Sequence, residues 1–166
     1  EIRDPETAQI AIQAALTGHL VLSTLHTNNA VGTLTRLLDM GVEDYLLTST
    51  MIGILAQRLV RTLCPHCREP YTALPEVVAE LGLARFAPGG GDITLWRAKG
   101  CDECAHTGYT GRVGITEILP MTDPLRSMVM KHATAAELRA EAIREGMLTM
   151  YEDGLRKAIR GVTTFE

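Results

Sequence analysis

The four cysteines of the chain fall in two C-x-x-C pairs, Cys64-Pro65-His66-Cys67 and Cys101-Asp102-Glu103-Cys104, and none is left over. No other feature constrains the fold as strongly. Two sulfurs on one short turn can reach one tetrahedral ion at ~2.3 Å, and a second such turn completes the shell. A metal held this way deprotonates its thiolates and couples folding of the intervening chain to its own binding. The segment between the pairs has 33 residues, longer than the ~15–20 of a compact zinc ribbon, so it must carry structure of its own. Two disulfides or a redox dithiol are the competing readings. There is no N-terminal Met and no signal-peptide pattern, which weighs against disulfides, and a redox pair needs no second copy. The expectation is a structural zinc site on Cys64, Cys67, Cys101 and Cys104, with His66 or His106 as alternative ligands. A closed four-sulfur shell has no open position, so no catalysis is assigned to it.

Around the knuckles the chain alternates helix signals with short apolar runs. Asp4-Pro5-Glu6 starts a helix through residue 17: Asp4 caps it, Pro5 suits its first position and Glu6 favours its positive end. Leu20-Val21-Leu22 reads as a buried strand that passes into Ser23, Thr24, Leu25 and His26. Asn28 or Asn29 caps a helix through Leu38, and a further helix is expected over 43–57. Residues 59–63 lead, extended, into the first knuckle. Between the knuckles the pattern gives a helix over 75–83, a loop over 87–92 and a strand over 93–97. After the second knuckle, Gly108, Gly111 and Gly114 mark tight backbone, and 113–119 reads as a strand. The last third is helical. Thr122-Asp123-Pro124 starts one helix, and Thr134 with Glu137 forms a capping box for the next. Thr149 with Glu152 forms another, and 163–166 has the same form. That final signal, with a chain that opens on Glu1, suggests a piece cut from something longer.

Glu1 is followed by a helix and then by a strand ending in Ser23-Thr24-Leu25-His26-Thr27-Asn28. In an open α/β sheet the chemistry lies at the carboxyl ends of the strands. If Glu1 ends a strand, Glu1 and His26 share that edge. A carboxylate that orients water beside a polar group near a terminal phosphate is the layout of a nucleotide hydrolase. The plainer readings are a solvated carboxylate and a structural histidine.

Glu-Ile-Arg-Asp-Pro-Glu-Thr-Ala-Gln at 1–9, Leu16-Thr17-Gly18-His19, Ser23-Thr24-Leu25-His26-Thr27-Asn28 and Ala56-Gln57-Arg58-Leu59 resemble the secretion traffic ATPase family. The spaced cysteine pairs, Gly108-Tyr109-Thr110-Gly111-Arg112 and Gly114-Ile115-Thr116-Glu117 strengthen the resemblance, which covers essentially the whole chain. Within the family the chain resembles the type II secretion members most, and the type IV pilus assembly members next. The resemblance implies an α/β fold: the carboxyl-terminal part of an incomplete RecA-like P-loop NTPase core, with an inserted four-Cys zinc subdomain and a helical C-terminal tail. It implies core residues at 1–63, the zinc subdomain at 64–111, and a returning strand with the helical region at 112–166. Glu1 matches the Walker B glutamate that acts on the attacking water, and His26 matches the histidine near the terminal phosphate. Arg112 sits where the family places a basic residue near nucleotide; a surface arginine is the plainer reading. The cysteines match the zinc-binding subdomain. ATP and magnesium would serve the full-length protein. The implied partners are further copies of itself in a hexameric ring and inner-membrane platform proteins. The implied location is cytoplasmic, on the inner face of the bacterial inner membrane.

A motor of this kind needs G-x-x-x-x-G-K-[ST], whose lysine holds the β/γ phosphates. None of Lys99, Lys131 and Lys157 follows a glycine, and the glycines at 89–91 run into Asp92, so this chain carries no P-loop. It is expected to be inactive alone. A free-standing zinc-binding interaction module, or a purely structural fragment, is the competing reading. Direct nucleic-acid binding is disfavoured: the net charge is −4, with one Trp and no basic stripe.

Overall fold

The computed structural model of the chain describes residues 1–87 and 91–165. The centre of the loop expected over 87–92 and the last residue of the 163–166 signal lie outside them. The chain divides into two compact units. One comprises Glu1–Gln57 and Thr116–Thr149, the other Arg58–Ile115 and Met150–Glu166.

The first unit is mainly helical. It contains α1 (Pro5–Leu16), α2 (Ala30–Asp39), α3 (Asp44–Thr50), α5 (Asp123–Met130) and α6 (Ala135–Arg144). The helix starts follow their caps. Asp4 Oδ1 accepts from Thr7 N at 2.8 Å, and Asn29 Oδ1 accepts from Gly32 N at 2.7 Å. Thr134 and Glu137 form the expected reciprocal box at α6. The apolar faces meet in one core: Ala8 and Ile12 of α1, Leu34 and Leu37 of α2, Leu47 of α3, Leu125 and Val129 of α5, and Leu138 and Ala142 of α6.

Two expectations in this unit differ from the structure. The helix expected to reach 57 stops at Thr50. Its last turn is Thr48-Ser49-Thr50, whose hydroxyls all donate back to carbonyls of the preceding turn. Such residues hold a helix interior weakly. Gly53 then opens a long strand, β1 (Gly53–Leu63). The apolar run at 20–22 is not a buried strand. Leu20 is 74% and Leu22 87% exposed, and 19–27 forms no regular element. A strand is made by its ladder. Ile2 N donates to Thr24 O at 2.9 Å, at the polar end rather than along the apolar run.

The second unit is built around a small antiparallel pair. Strand β2 (Glu69–Thr72) pairs with β3 (Thr94–Arg97), with Glu69 opposite Arg97 and Tyr71 opposite Leu95. β2 was not legible in the sequence because four residues containing Pro70 carry no alternation of their own. Between these strands lie α4 (Pro75–Glu80) and a 3-10 turn, Leu83–Phe86. Helix α7 (Met150–Ile159) belongs to this unit as well, and its Leu155 and Ala158 complete a core with Ala73, Leu83, Ile93 and Leu95. The signal at 163–166 starts no helix over its described residues. Thr163 is buried and donates its hydroxyl to Arg61 O at 2.8 Å. The strand expected at 113–119 is longer, β4 (Tyr109–Pro120), and pairs with β1.

Candidate functional site

The four cysteines come together within the second unit. Cys64 follows the end of β1 and lies in a turn closed by Cys67 N and Arg68 N, both donating to Cys64 O. Cys101 precedes a 3-10 turn, Asp102–Cys104. Ala105 and His106 follow at φ 49° and 59°, which reverses the chain toward Gly108. Cys64, Cys67 and Cys104 are buried and Cys101 half-buried, and all four sulfurs lie within 4.8 Å of one another. The Cys64–Cys101, Cys67–Cys104 and Cys101–Cys104 sulfur separations are 3.9, 3.8 and 3.8 Å. A tetrahedron of sulfurs at ~2.3 Å from a zinc ion has an edge of about 3.8 Å, so the spacing fits. His66 and His106 are outside the group. His106 Nε2 instead lies 3.0 Å from Asp102 Oδ1 at the surface.

Backbone amides surround the sulfurs. Gly100 N donates to Cys67 Sγ at 3.3 Å, Cys101 N to Cys104 Sγ at 3.3 Å and Gly108 N to Cys104 Sγ at 3.2 Å. Such donors stabilise thiolate charge and fix the ligands' orientation. Both glycines are sterically required. Gly100 has φ +102° and an added Cβ would lie 2.6 Å from His106 O; Gly108 has φ +77° and a Cβ would meet that of Ala98 at 2.5 Å. Four thiols this close cannot all ionise without a cation. Burial pushes the Cys101 thiol up to about 12. Burial acts the same way on Cys104, but the Cys101 and Gly108 amides, aided by the Cys101 and Cys67 sulfhydryls, outweigh it and bring Cys104 down to about 6. A metal ion placed among the sulfurs would remove that conflict by stabilising all four thiolates.

Glu1 and His26 are brought together in the first unit. The Ile2–Thr24 backbone bond aligns the two extended segments. His26 Nε2 then lies 2.8 Å from Glu1 Oε1, and Arg3 Nη2 lies 2.6 Å from Glu1 Oε2. The hydrogen bond and charge of Arg3, with a contribution from His26, hold the Glu1 carboxyl below its ordinary value despite partial desolvation. The pair is open to solvent, with His26 86% exposed at its side chain. Chemically it is an ionised carboxylate whose two oxygens are each engaged, one by an imidazole and one by a guanidinium. Arg112 is exposed on β4 and belongs to the second unit.

A further residue, Glu117 of the Gly114-Ile115-Thr116-Glu117 run, has a structural role that the sequence did not disclose. It lies on β4 and is 2% exposed. Its Oε1 accepts from Ala30 N at 2.9 Å, a partner 87 residues away. It supports the first turn of α2, directly after the segment that carries His26. The signal available in the sequence was a lone acid in the run Val113–Leu119, where every other side chain except Thr116 is apolar or absent.

The type II/IV secretion system protein family matches residues 1–166. The type II secretion system protein E of Xanthomonas campestris pv. campestris is 60% identical over 166 residues, covering 100% of this chain and 29% of that protein. The type IV pilus assembly ATPase PilB of Myxococcus xanthus is 52% identical over 167 residues, again covering 100% of this chain and 29% of its own length. The chain therefore spans less than a third of these curated relatives. The expected carboxyl-terminal placement finds no support in these overlaps. In structure, the ATPase DotB of Legionella pneumophila matches with a TM-score of 0.61 at 21% identity, over 99% of this chain and 34% of that one; it supports an α/β fold of that kind. Among the described residues no helix is long and apolar enough to cross a membrane. The chain belongs to the type II/IV secretion system protein family.

Proposed function

We propose that the chain is part of an ATPase that powers type II protein secretion across the outer membrane. The observation that carries this reading is the 60% identity, over the whole chain, to a type II secretion system protein E. The full-length protein would bind ATP and magnesium, assemble as a hexameric ring, and work on the cytoplasmic face of the inner membrane against platform proteins. Glu1 would orient the attacking water, and His26 would hold that carboxylate and approach the terminal phosphate. The ionised state of Glu1 and its contact with His26 favour these roles. Arg112 would be a further basic contact to nucleotide. The four cysteines would hold a structural zinc ion that fixes the fold of the second unit. Residues 1–63 would serve as core, 64–111 as zinc subdomain and 112–166 as returning strand and helical region.

The chain has no phosphate-binding loop, so alone it would turn over no ATP above background. Deleting the gene and scoring both secreted enzymes and surface pili tests the pathway. Lost secretion with normal pili is the expected result. The reverse would favour type IV pilus assembly, the reading supported by the 52% identity to PilB of Myxococcus xanthus.

A further inference from the structure

The second unit carries a cationic pocket remote in chemistry from the cysteines and from the Glu1–His26 pair. Arg85 and Phe86, from the 3-10 turn, and Arg156, Ile159 and Arg160, from the last turn of α7 and the residue after it, line a depression of ≈ 300 Å³. Phe86 is the aromatic residue of this lining. The Arg85 guanidinium lies 4.6 Å and the Arg156 guanidinium 5.3 Å from the ring centroid. Stacking of this kind orients a guanidinium while leaving its N–H edges available to an anion. One of the three charges is compensated, Arg85 Nη1 lying 2.7 Å from Glu152 Oε1. Arg156 and Arg160 have no carboxylate partner among the described residues. The neighbouring cation, Lys157, is paired with Asp153. On a chain of net charge −4, two arginines without a carboxylate partner among the described residues, beside a half-buried ring, form a local positive focus.

We propose that this pocket binds an acidic peptide segment of a partner protein, one bearing carboxylates around an apolar side chain. Charge and shape select that occupant. Guanidinium forks match carboxylates in a bidentate manner, and the floor of Phe86 and Ile159 suits an apolar anchor. A free phosphate would gain nothing from that floor. A lipid surface calls for protruding apolar side chains on a broad basic plane. Here both apolar residues are half-buried, and the Glu152 and Asp153 carboxylates limit the breadth of the charge. The site is independent of the ATPase reading.

Fluorescence anisotropy on the zinc-loaded full chain tests it, with fluorescein-labelled Gly-Glu-Leu-Glu-Phe-Glu-Gly as the probe. The same peptide with Gln for Glu, inorganic phosphate and phosphatidylglycerol vesicles are the comparisons. The acidic peptide should bind and the Gln peptide should not. Arg156→Gln or Arg160→Gln should each weaken binding about two- to fivefold and the double variant about tenfold or more, as expected for exposed charge pairs. Arg139→Gln, on α6, should leave it unchanged. Circular dichroism should show all variants folded, since the core residues of α7, Leu155 and Ala158, are untouched. The proposal is overturned if the acidic peptide does not bind, if the double variant binds it equally well, or if phosphate or the vesicles bind more tightly than the peptide in an arginine-dependent way.

Discussion

Cys67 Sγ and Cys104 Sγ lie 3.8 Å apart although 37 residues separate them in sequence. That contact closes the second unit around its four sulfurs. Cys104 also receives two backbone amides, from Cys101 and Gly108. Wild-type protein should purify with about one zinc ion per chain, and Cys104→Ser with far less, as read by atomic absorption. Because the ligands bind as thiolates, protons compete for them, so zinc should be released as pH falls. A chelator titration followed by circular dichroism should lower the unfolding temperature of the wild type and leave that of the variant nearly unchanged.

Two glycines beside the second knuckle separate steric from conformational cost. Gly111 has φ +71° with open space where a methyl would be added, whereas at Gly108 a methyl would collide with Ala98. Gly111→Ala should cost about 1 kcal/mol from the left-handed backbone alone. Gly108→Ala should cost about 2–4 kcal/mol, since overpacking adds to it, and should lower zinc retention by moving the amide that donates to Cys104. Urea unfolding of both variants measures the difference.

Glu117 buries an acceptor for Ala30 N. Glu117→Ala leaves that amide without this partner and should cost about 1–3 kcal/mol. Glu117→Gln keeps an acceptor oxygen and should cost less. Urea unfolding compares the two, and hydrogen exchange at Ala30 should speed up more in the alanine variant.

The contrast between Glu117 and the helix caps explains what the sequence could disclose. Asp4, Asn29 and Thr134 act on amides three residues away, so their function is written locally and was legible. The cysteine cluster was legible because metal chemistry restricts ligand type and spacing so tightly. Glu117 acts across 87 residues, and no local pattern specifies such a partner. β2 is visible only through its pairing with β3. Leu20-Val21-Leu22 misled for the converse reason: an apolar, β-branched run states a preference, but a ladder decides whether a strand exists. The proximity of Glu1 and His26 was expected from two strand ends sharing a sheet edge; here it rests on two extended segments joined by the Ile2–Thr24 bond, and the engagement of Arg3 with Glu1 was not foreseen.

The box at α6 gives a pH dependence. The Thr134 amide and hydroxyl both donate to Glu137 and hold its carboxyl below its ordinary value of 4.5. A group depressed in the folded state stabilises fully above its unfolded value and loses that contribution as pH falls through the folded one. Glu137→Gln should therefore be less stable than wild type at neutral pH, and the gap should narrow below about pH 4.5. Thr134→Ala should cost about 1 kcal/mol at neutral pH. Thermal unfolding across a pH series checks both.

The most direct test of the proposed motor function is steady-state ATP turnover by the full-length protein with Glu1→Gln. If Glu1 acts on the attacking water as proposed, its loss should lower kcat by about 10²–10⁴-fold while nucleotide binding persists and the zinc content stays at wild-type level. Turnover within a few fold of wild type would contradict the assignment of Glu1, and with it the reading of the Glu1–His26 pair as the hydrolytic edge of a secretion ATPase.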